Sequence, residues 1–460
     1  MILTHTHAAC GVFAKETRSA TNRVEIRTID SLVVHIATAY HKSLGLPPDP
    51  SVWAREAGNE GFQQLGESVA RFLAQNPMVS MALAERYPLV IADEHQDARG
   101  EQHDIIMGLH RAGSRVRVFA DPMQRIYVRT KRAIAADQSR WEALKSEGVF
   151  AELEYPHRWT SGSMELGSWV LAARQILKER GQIDLFGKMP KGLSVLFADN
   201  VAPTHTSFRL SDSDRKPVDA VIRSAARMLV LSGQNESVRA LRAFWNRQFP
   251  IWEGHTREPL GILVLALASN SGDAPAIAEA VIVFLEAVSV RFTRSSHGNR
   301  FATEISEGCA KQTTGKPAYI QELARYIRND PTHFGAAKCL KRLVELVENK
   351  IAGFDDIVFD LRNELRDALR LEDFTHPEEG FSEINRKRTF ARPTPPAKAI
   401  STIHKAKGLE CDHSMIIPCD AHHFSNTTYA RCKLYVALSR AKQSMTLVLS
   451  KSKPSPLFKL

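Results

Sequence analysis

Two adjacent acids at the end of an apolar run carry the clearest chemical signal in the sequence. The stretch YPLVIAD (87–93) runs into Glu94, His95, Gln96 and Asp97. An apolar run ending in paired carboxylates reads as a buried parallel strand that opens onto the sheet edge where α/β folds bind ligands. Asp93 there can hold Mg²⁺, a hard cation that takes oxygen ligands and keeps part of its hydration. Glu94 can orient or deprotonate an attacking water. The plainer alternative is an acidic helix start favoured by the macrodipole. One β-α unit later, RVRVFADPMQRIY (115–127) presents Asp121, Gln124 and Tyr127. Gln124 is placed to sense a terminal phosphate and Tyr127 to stack on a base. The alternative is a turn with a core tyrosine.

Other constellations carry less. Cys411, His413, Cys419, His422, His423 and Cys432 match no standard zinc spacing, so packing cysteines and surface histidines are expected. Gly315-Lys316 is not a phosphate loop, because it lacks the upstream glycine and strand and Pro317 follows it.

The elements that must position these groups alternate between strand and helix. Strands are expected at 24–28, 87–93, 115–121, 152–155, 193–199, 261–267, 414–420 and 445–450. Helices are expected at 29–44, 61–86, 98–110, 162–179, 216–231, 236–248 and 274–288. The β-α-β order implies an open α/β sheet. Residues 318–373 read as charged helices with no strand, and 374–397 as a polar, basic, Pro-rich loop.

The composition is that of an ordinary globular chain, 43% hydrophobic and 24% charged over 460 residues, long enough for two to four domains. The longest apolar runs are too short for the ~20 residues of a membrane span. With no signal-peptide pattern and scattered cysteines, the cytoplasm is the expected location. A net charge of +10 favours a polyanionic partner, because each neutralised phosphate releases counterions.

The segment Asp93-Glu94-His95-Gln96-Asp97 resembles the DExxQD motif of the UvrD/Rep/PcrA-like superfamily 1 helicases, and Asp121-Pro122-Met123-Gln124-Arg125-Ile126-Tyr127 resembles the GDPxQxIY motif that follows it. Thr402-Ile403-His404-Lys405-Ala406-Lys407-Gly408-Leu409-Glu410 matches TIHKxKGLE at every fixed position. Leu434–Lys442 resembles LxYVAxTRAK with Ser439 replacing threonine, and Tyr155–Trp159 resembles, less closely, the NYR motif. The motifs stand in family order and span nearly the whole chain. The resemblance implies two RecA-like parallel-sheet cores with helical insertions. The first would cover residues 1–150 with an insertion at about 45–86, the second 151–460 with an insertion at about 300–395.

The resemblance also implies an ATP-dependent DNA helicase or translocase, 3′-to-5′ on single-stranded DNA, acting in repair, recombination or anti-phage defence. Its cofactors would be ATP and Mg²⁺, with Asp93 on the metal, Glu94 as general base and Gln124 at the γ-phosphate or its water. Arg158 and Arg440 would contact phosphate, since a guanidinium donates a planar fork and stays charged. Glu410, beside Gly408, would contact the sugar. His5, Thr6, His7, Thr28, Tyr127, Thr402, His404 and Lys405 would meet single-stranded or partly duplex DNA, with Ser31 beside them. Asp30 stands where the family usually has histidine, and near DNA phosphate it would be repulsive.

The compact layout is also similar to small UvrD-like proteins found beside nucleases in anti-phage systems of the Gabija kind, which implies a partner nuclease. No GxxxxGK[ST] loop occurs in the sequence. In the family that loop lies upstream of the motif that LTHTHAA resembles, so the chain is expected to begin after it and to hydrolyse ATP weakly or not at all. The competing reading is a noncatalytic or truncated homologue that binds DNA as a regulatory subunit.

Overall fold

The computed structural model describes all residues except 6–9, 11–12, 15, 18–23, 58–59, 128–130, 203–206, 253–257 and 392–395, and leaves out the side chains of 55–56, 131–134, 137, 258 and 385–391. Contacts divide it into two compact units, Met1–Ser237 with Thr402–Leu460, and Val238–Ser401.

The first unit holds one parallel sheet and four of the five strands of a second, as expected of an α/β chain with two RecA-like cores. The first sheet has the order β2-β1-β3-β4, with β1 Ile2–Thr4, β2 Ile26–Thr28, β3 Leu89–Ala92 and β4 Arg115–Val118. Its strands pair in parallel, with Ile2 opposite both Ile26 and Ile91, and Leu89 opposite Arg115. Strand β1 is buried along its whole length, as a central parallel strand must be. Leu3, Val90 and Ala92 join Ile29, Leu32, Val33 and Ile36 of helix Ile29–Ala39, Leu65 and Val69 of helix Gly61–Gln75, and Ile105, Ile106 and Leu109 of helix Gly100–Arg111 in one core.

The second sheet comprises β5 (Leu193–Phe197), β6 (Met228–Ser232), β7 (Lys398–Thr402), β8 (Cys411–Cys419) and β9 (Ala441–Leu449). Their order is β7-β6-β8-β9-β5. The buried helix Thr428–Leu438 carries the chain between β8 and β9. Among the described residues no helix is long and apolar enough to cross a membrane.

Several expectations need correction. Residues 216–231 do not form one helix. The helix is Asp212–Ser224, and Met228–Ser232 is the fully buried strand β6. Met and Leu favour helix locally, but burial within the sheet overrides that preference. Residues 261–267 lie not in a strand but in helix Glu258–Ser269. Leu260, Leu263, Val264 and Leu267 are buried while Ile262 and Leu265 are exposed, so the short apolar run has helical spacing. Residues 152–155 form no strand. Their alternation finds no neighbour to pair with, and Leu153 is 79% exposed. The expected loop at 374–397 contains helix Pro377–Ala391, which starts with proline and two glutamates, a favourable first turn.

The helical unit is also broader than 300–395, since it begins at Val238. Its core includes Leu263, Val281, Phe284, Leu340, Leu343 and Phe354. The expected absence of strands from 318–373 fails at Val358-Phe359, which pairs antiparallel with Ser289-Val290.

Candidate nucleotide and nucleic-acid site

Strand β3 delivers the acids as the sequence implies. The Asp93 N–H donates to Leu3 O at 2.8 Å, so pairing with β1 sets where the strand stops. Glu94 then takes a left-handed conformation (φ 51°), uncommon outside glycine, and the chain turns into the short helical turn His95–Asp97. The His95 N–H donates to Phe119 O at 3.0 Å and ties the turn to the end of β4. The Gln96 side chain joins the two strand ends. Its Nε2 donates to the Glu94 carboxylate and its Oε1 accepts the Asp121 N–H at 3.0 Å. Asp121 accepts from Gln124 Nε2 at 3.2 Å and from Arg174 Nη2 at 2.9 Å. With its amide nitrogen on Asp121, Gln124 keeps its side-chain oxygen as the group able to accept from a water.

The electrostatics favour a cation. Burial, and then the neighbouring Glu94 charge, push the Asp93 carboxyl up to about 6. Asp97 is also pushed up to about 6, because burial outweighs the opposing pull of Lys407. A buried carboxylate whose charged form is penalised, as at Asp93, suits Mg²⁺, which would relieve that penalty. Asp93 therefore fits a divalent metal.

The C-terminal motifs meet this turn within the same unit. Lys407 Nζ donates to Asp97 Oδ2 at 2.5 Å and to Gln124 O at 2.9 Å, and lies 3.9 Å from Glu94 Oε2. Arg158 donates through Nε to Glu410 Oε1 at 2.8 Å and through Nη1 to Ser439 O at 2.9 Å. It sits on the turn His157–Trp159, held by the Trp159 indole N–H on Ala441 O at 2.7 Å. Arg440 is fully buried. Its guanidinium donates to Val436 O, Leu409 O and Ser439 Oγ, and burial pulls its pKa down to about 10. To reach a phosphate it would have to exchange these partners. Gly408 has φ +80° and open space where a Cβ would stand.

The residues expected to touch nucleic acid divide into two groups. Tyr127 is 58% exposed, with Lys407 Nζ 5.2 Å and the His404 ring 6.2 Å from its ring centre. His404 Nε2 lies 2.7 Å from Tyr429 Oη and 3.2 Å from Ile126 O. Lys405 follows in the same turn, its N–H on Thr402 Oγ1 at 3.2 Å. By contrast, Thr28 and Thr402 are buried, and their hydroxyls cap local turns: Thr28 Oγ1 accepts from Ser31 N–H at 3.1 Å. His5 is half-buried, and burial pulls its pKa down to about 4, which makes it a neutral imidazole. Thr6 and His7 lie outside the described residues. Asp30 is neutralised by Arg99 Nη2 at 2.9 Å and bonded by Gln102 Nε2 at 2.8 Å, which answers the expected repulsion. A cavity of about 1260 Å³ opens beside Tyr127 and Asp97, walled by helices Gly61–Gln75 and Gly100–Arg111.

Sequence reasoning gave no role to Lys407, Arg174, Gln96 or Asp97. Lys407, Gln96 and Asp97 lie inside quoted motifs, and that was their only signal. Arg174 lies in an unremarkable helix and had none.

Comparison with known families agrees with this arrangement. Residues 53–129 match the UvrD/REP helicase N-terminal domain, and residues 399–448 match the UvrD-like helicase C-terminal domain. No individual curated protein matches the sequence. The first match covers β3, β4 and their acids, and the second covers the turn that brings Lys407 to them. The two matches, in this order along the chain, support a UvrD-like superfamily 1 helicase.

Proposed function

We propose that the protein is an ATP-dependent DNA translocase or helicase, moving 3′-to-5′ on single-stranded DNA in repair, recombination or anti-phage defence. The observation that carries this reading is the meeting of the Asp93–Asp97 turn, Gln124 and the His404–Glu410 segment at the carboxyl ends of parallel strands. Mg²⁺ held by Asp93 would supply charge neutralisation for phosphoryl transfer. Glu94 would take the proton of the attacking water, and Gln124 would orient that water through its amide oxygen. Arg158 is the accessible arginine for the phosphate side, released from Glu410 when a nucleotide competes for it. Tyr127, His404 and Lys405 supply a stacking face and donors suited to sequence-tolerant single-strand binding.

The second reading, a DNA-binding regulatory subunit without hydrolysis, is favoured by one observation: Arg158 and Arg440 are both engaged by protein groups. ATP hydrolysis with and without single-stranded DNA, in the wild type and in Glu94→Gln, separates the two. DNA-stimulated turnover reduced at least ~100-fold in Glu94→Gln supports the motor. Tight DNA binding with no turnover in either protein supports the regulatory subunit.

A further inference from the structure

The carboxyl end of the second sheet brings together three side chains that have no role in the nucleotide or nucleic-acid groups above. Strands β6 and β8 pair in parallel, so the turns that follow them lie side by side. The turn after β6, Gly233-Gln234, leads into helix Asn235–Phe244, and Ser237 sits in the first turn of that helix. The turn after β8 carries Asp420 and His423. Ser237, Asp420 and His423 all belong to the first unit. His423 Nδ1 donates to Asp420 Oδ1 at 2.8 Å, and Ser237 Oγ donates to His423 Nε2 at 2.8 Å. The His423 backbone N–H also donates to Asp420 Oδ1 at 2.8 Å, which fixes the acid and the imidazole within one turn. An ionised carboxylate can only accept, so Nδ1 carries the hydrogen of the neutral ring and Nε2 is left to accept from the serine. Burial alone would raise the Asp420 carboxyl, but its bonds to His423 outweigh this and hold it below the ordinary carboxylate value. Gly233 leaves room for the imidazole, since a Cβ there would stand 2.9 Å from His423 Cδ2. His423 is buried, Ser237 is half-buried, and Gln234, Asn235 and Glu236 before it are exposed, so the base is shielded while the hydroxyl is open to solvent.

We propose that Ser237, His423 and Asp420 form a second catalytic site, a hydrolytic triad for carboxylic esters. A hydroxyl bonded to a base that a third group orients is the arrangement that activates a weak nucleophile. Ser237 is the nucleophile, His423 is the general base, and Asp420 is the positioning residue that fixes the tautomer. The N–H groups in the first turn of helix Asn235–Phe244 have no acceptor within the helix, and they are the donors available to an oxyanion. Ser237 Oγ attacks the ester carbonyl carbon, and its proton passes to His423 Nε2. The bond from that carbon to the alcohol oxygen breaks, and Nε2 gives the proton to the departing alkoxide. Water then attacks the acyl-serine and gives a proton to Nε2. The bond from the acyl carbon to Ser237 Oγ breaks, the carboxylic acid leaves, and Nε2 returns the proton to Oγ. Ester and water become acid and alcohol. None of these residues belongs to the nucleotide or nucleic-acid groups, so absence of this activity leaves the functional reading above intact.

The test uses the full chain, a fluorophosphonate probe and p-nitrophenyl acetate. Peptide mass spectrometry is expected to find the probe on Ser237, and turnover of p-nitrophenyl acetate is expected to fall at least about 100-fold in Ser237→Ala. The rate of labelling at Ser237 is expected to fall at least about 100-fold in His423→Gln and in Asp420→Asn. Asp420→Asn keeps the shape of the pair and reverses the tautomer. It should therefore lower kcat while KM stays within about threefold, a split that loss of folding would not produce. The inference is overturned by the absence of an adduct on Ser237, or by an adduct that forms as fast in His423→Gln or Asp420→Asn. Labelling without ester turnover, or turnover that survives in Ser237→Ala, overturns it as well.

Discussion

At the scale of single residues, the site is a set of buried charges that depend on one another. Arg174 shows this most simply. Its guanidinium spans Asp121 and Glu152 and lies 5.9 Å from the Tyr435 ring centre. Arg174→Ala removes this bridge and leaves Asp121, itself largely buried, with one charge fewer against it. The expected loss is about 1–3 kcal/mol in chemical denaturation, with little recovery in Arg174→Lys, because a point charge cannot reach both carboxylates as a planar fork does. A second prediction concerns protonation in the helical unit. The neutral His297 ring donates from Nε2 to Gly353 O at 2.9 Å and accepts at Nδ1 from Ser296 Oγ at 2.7 Å, stacked on Phe292. Burial lowers its pKa below 6.5, with Lys316 adding to the effect and Gly353 O and Asp356 opposing it. The unfolded chain therefore binds the proton more readily than the folded one just below pH 6.5. His297 stabilises the fold above that pH, and its contribution is lost as the pH falls through the folded value. Thermal unfolding at pH 7.5 and pH 5 is expected to show a smaller drop in His297→Gln than in the wild type.

At the scale of elements, close backbone approach decides where the arginine turn sits. Gly162 follows the turn that carries Arg158, and a Cβ there would stand 2.3 Å from Lys442 O on β9. The next residue, Ser163, donates its N–H to that same carbonyl at 2.9 Å. Gly162→Ala must push the turn off the strand, and the expected cost is about 2 kcal/mol in denaturant midpoint analysis. The elements were unevenly legible in the sequence. β3 and β4 could be read because β-branched runs bounded by charge are typical of buried parallel strands. β6 could not, because MLVLS carries one β-branched residue and follows a real helix without a strong break. The apolar run at 261–267 was ambiguous for the opposite reason, since its length suits a strand and only its neighbours reveal the helix.

At the scale of the molecule, two units carry separate cores. Leu343 is fully buried in the helical unit Val238–Ser401, so Leu343→Ala should destabilise that unit by about 2–5 kcal/mol. Hydrogen exchange is the decisive measurement. Amides of helices Ala274–Val288 and His333–Glu348 are expected to lose protection, while those of β3 and β8 keep theirs. Equal loss in all four would mean that the units unfold as one.

Local chemistry and order were determined by the sequence itself: paired acids after an apolar strand, a second acid and amide one unit later, and C-terminal motifs in sequence with them. These could be read because strand burial and motif spacing are properties of short stretches. Which side chains meet depends also on contacts between residues distant in the chain, 69 positions apart for Asp30 and Arg99 and 310 for Lys407 and Asp97, and no local pattern encodes those. Only the tertiary structure buries Arg440 against Leu409, pairs Asp30 with Arg99, and brings Lys407 to Asp97. The physical reason is burial: once a charge or hydroxyl leaves water it must find a partner, and the fold, not the motif, decides which one is within reach.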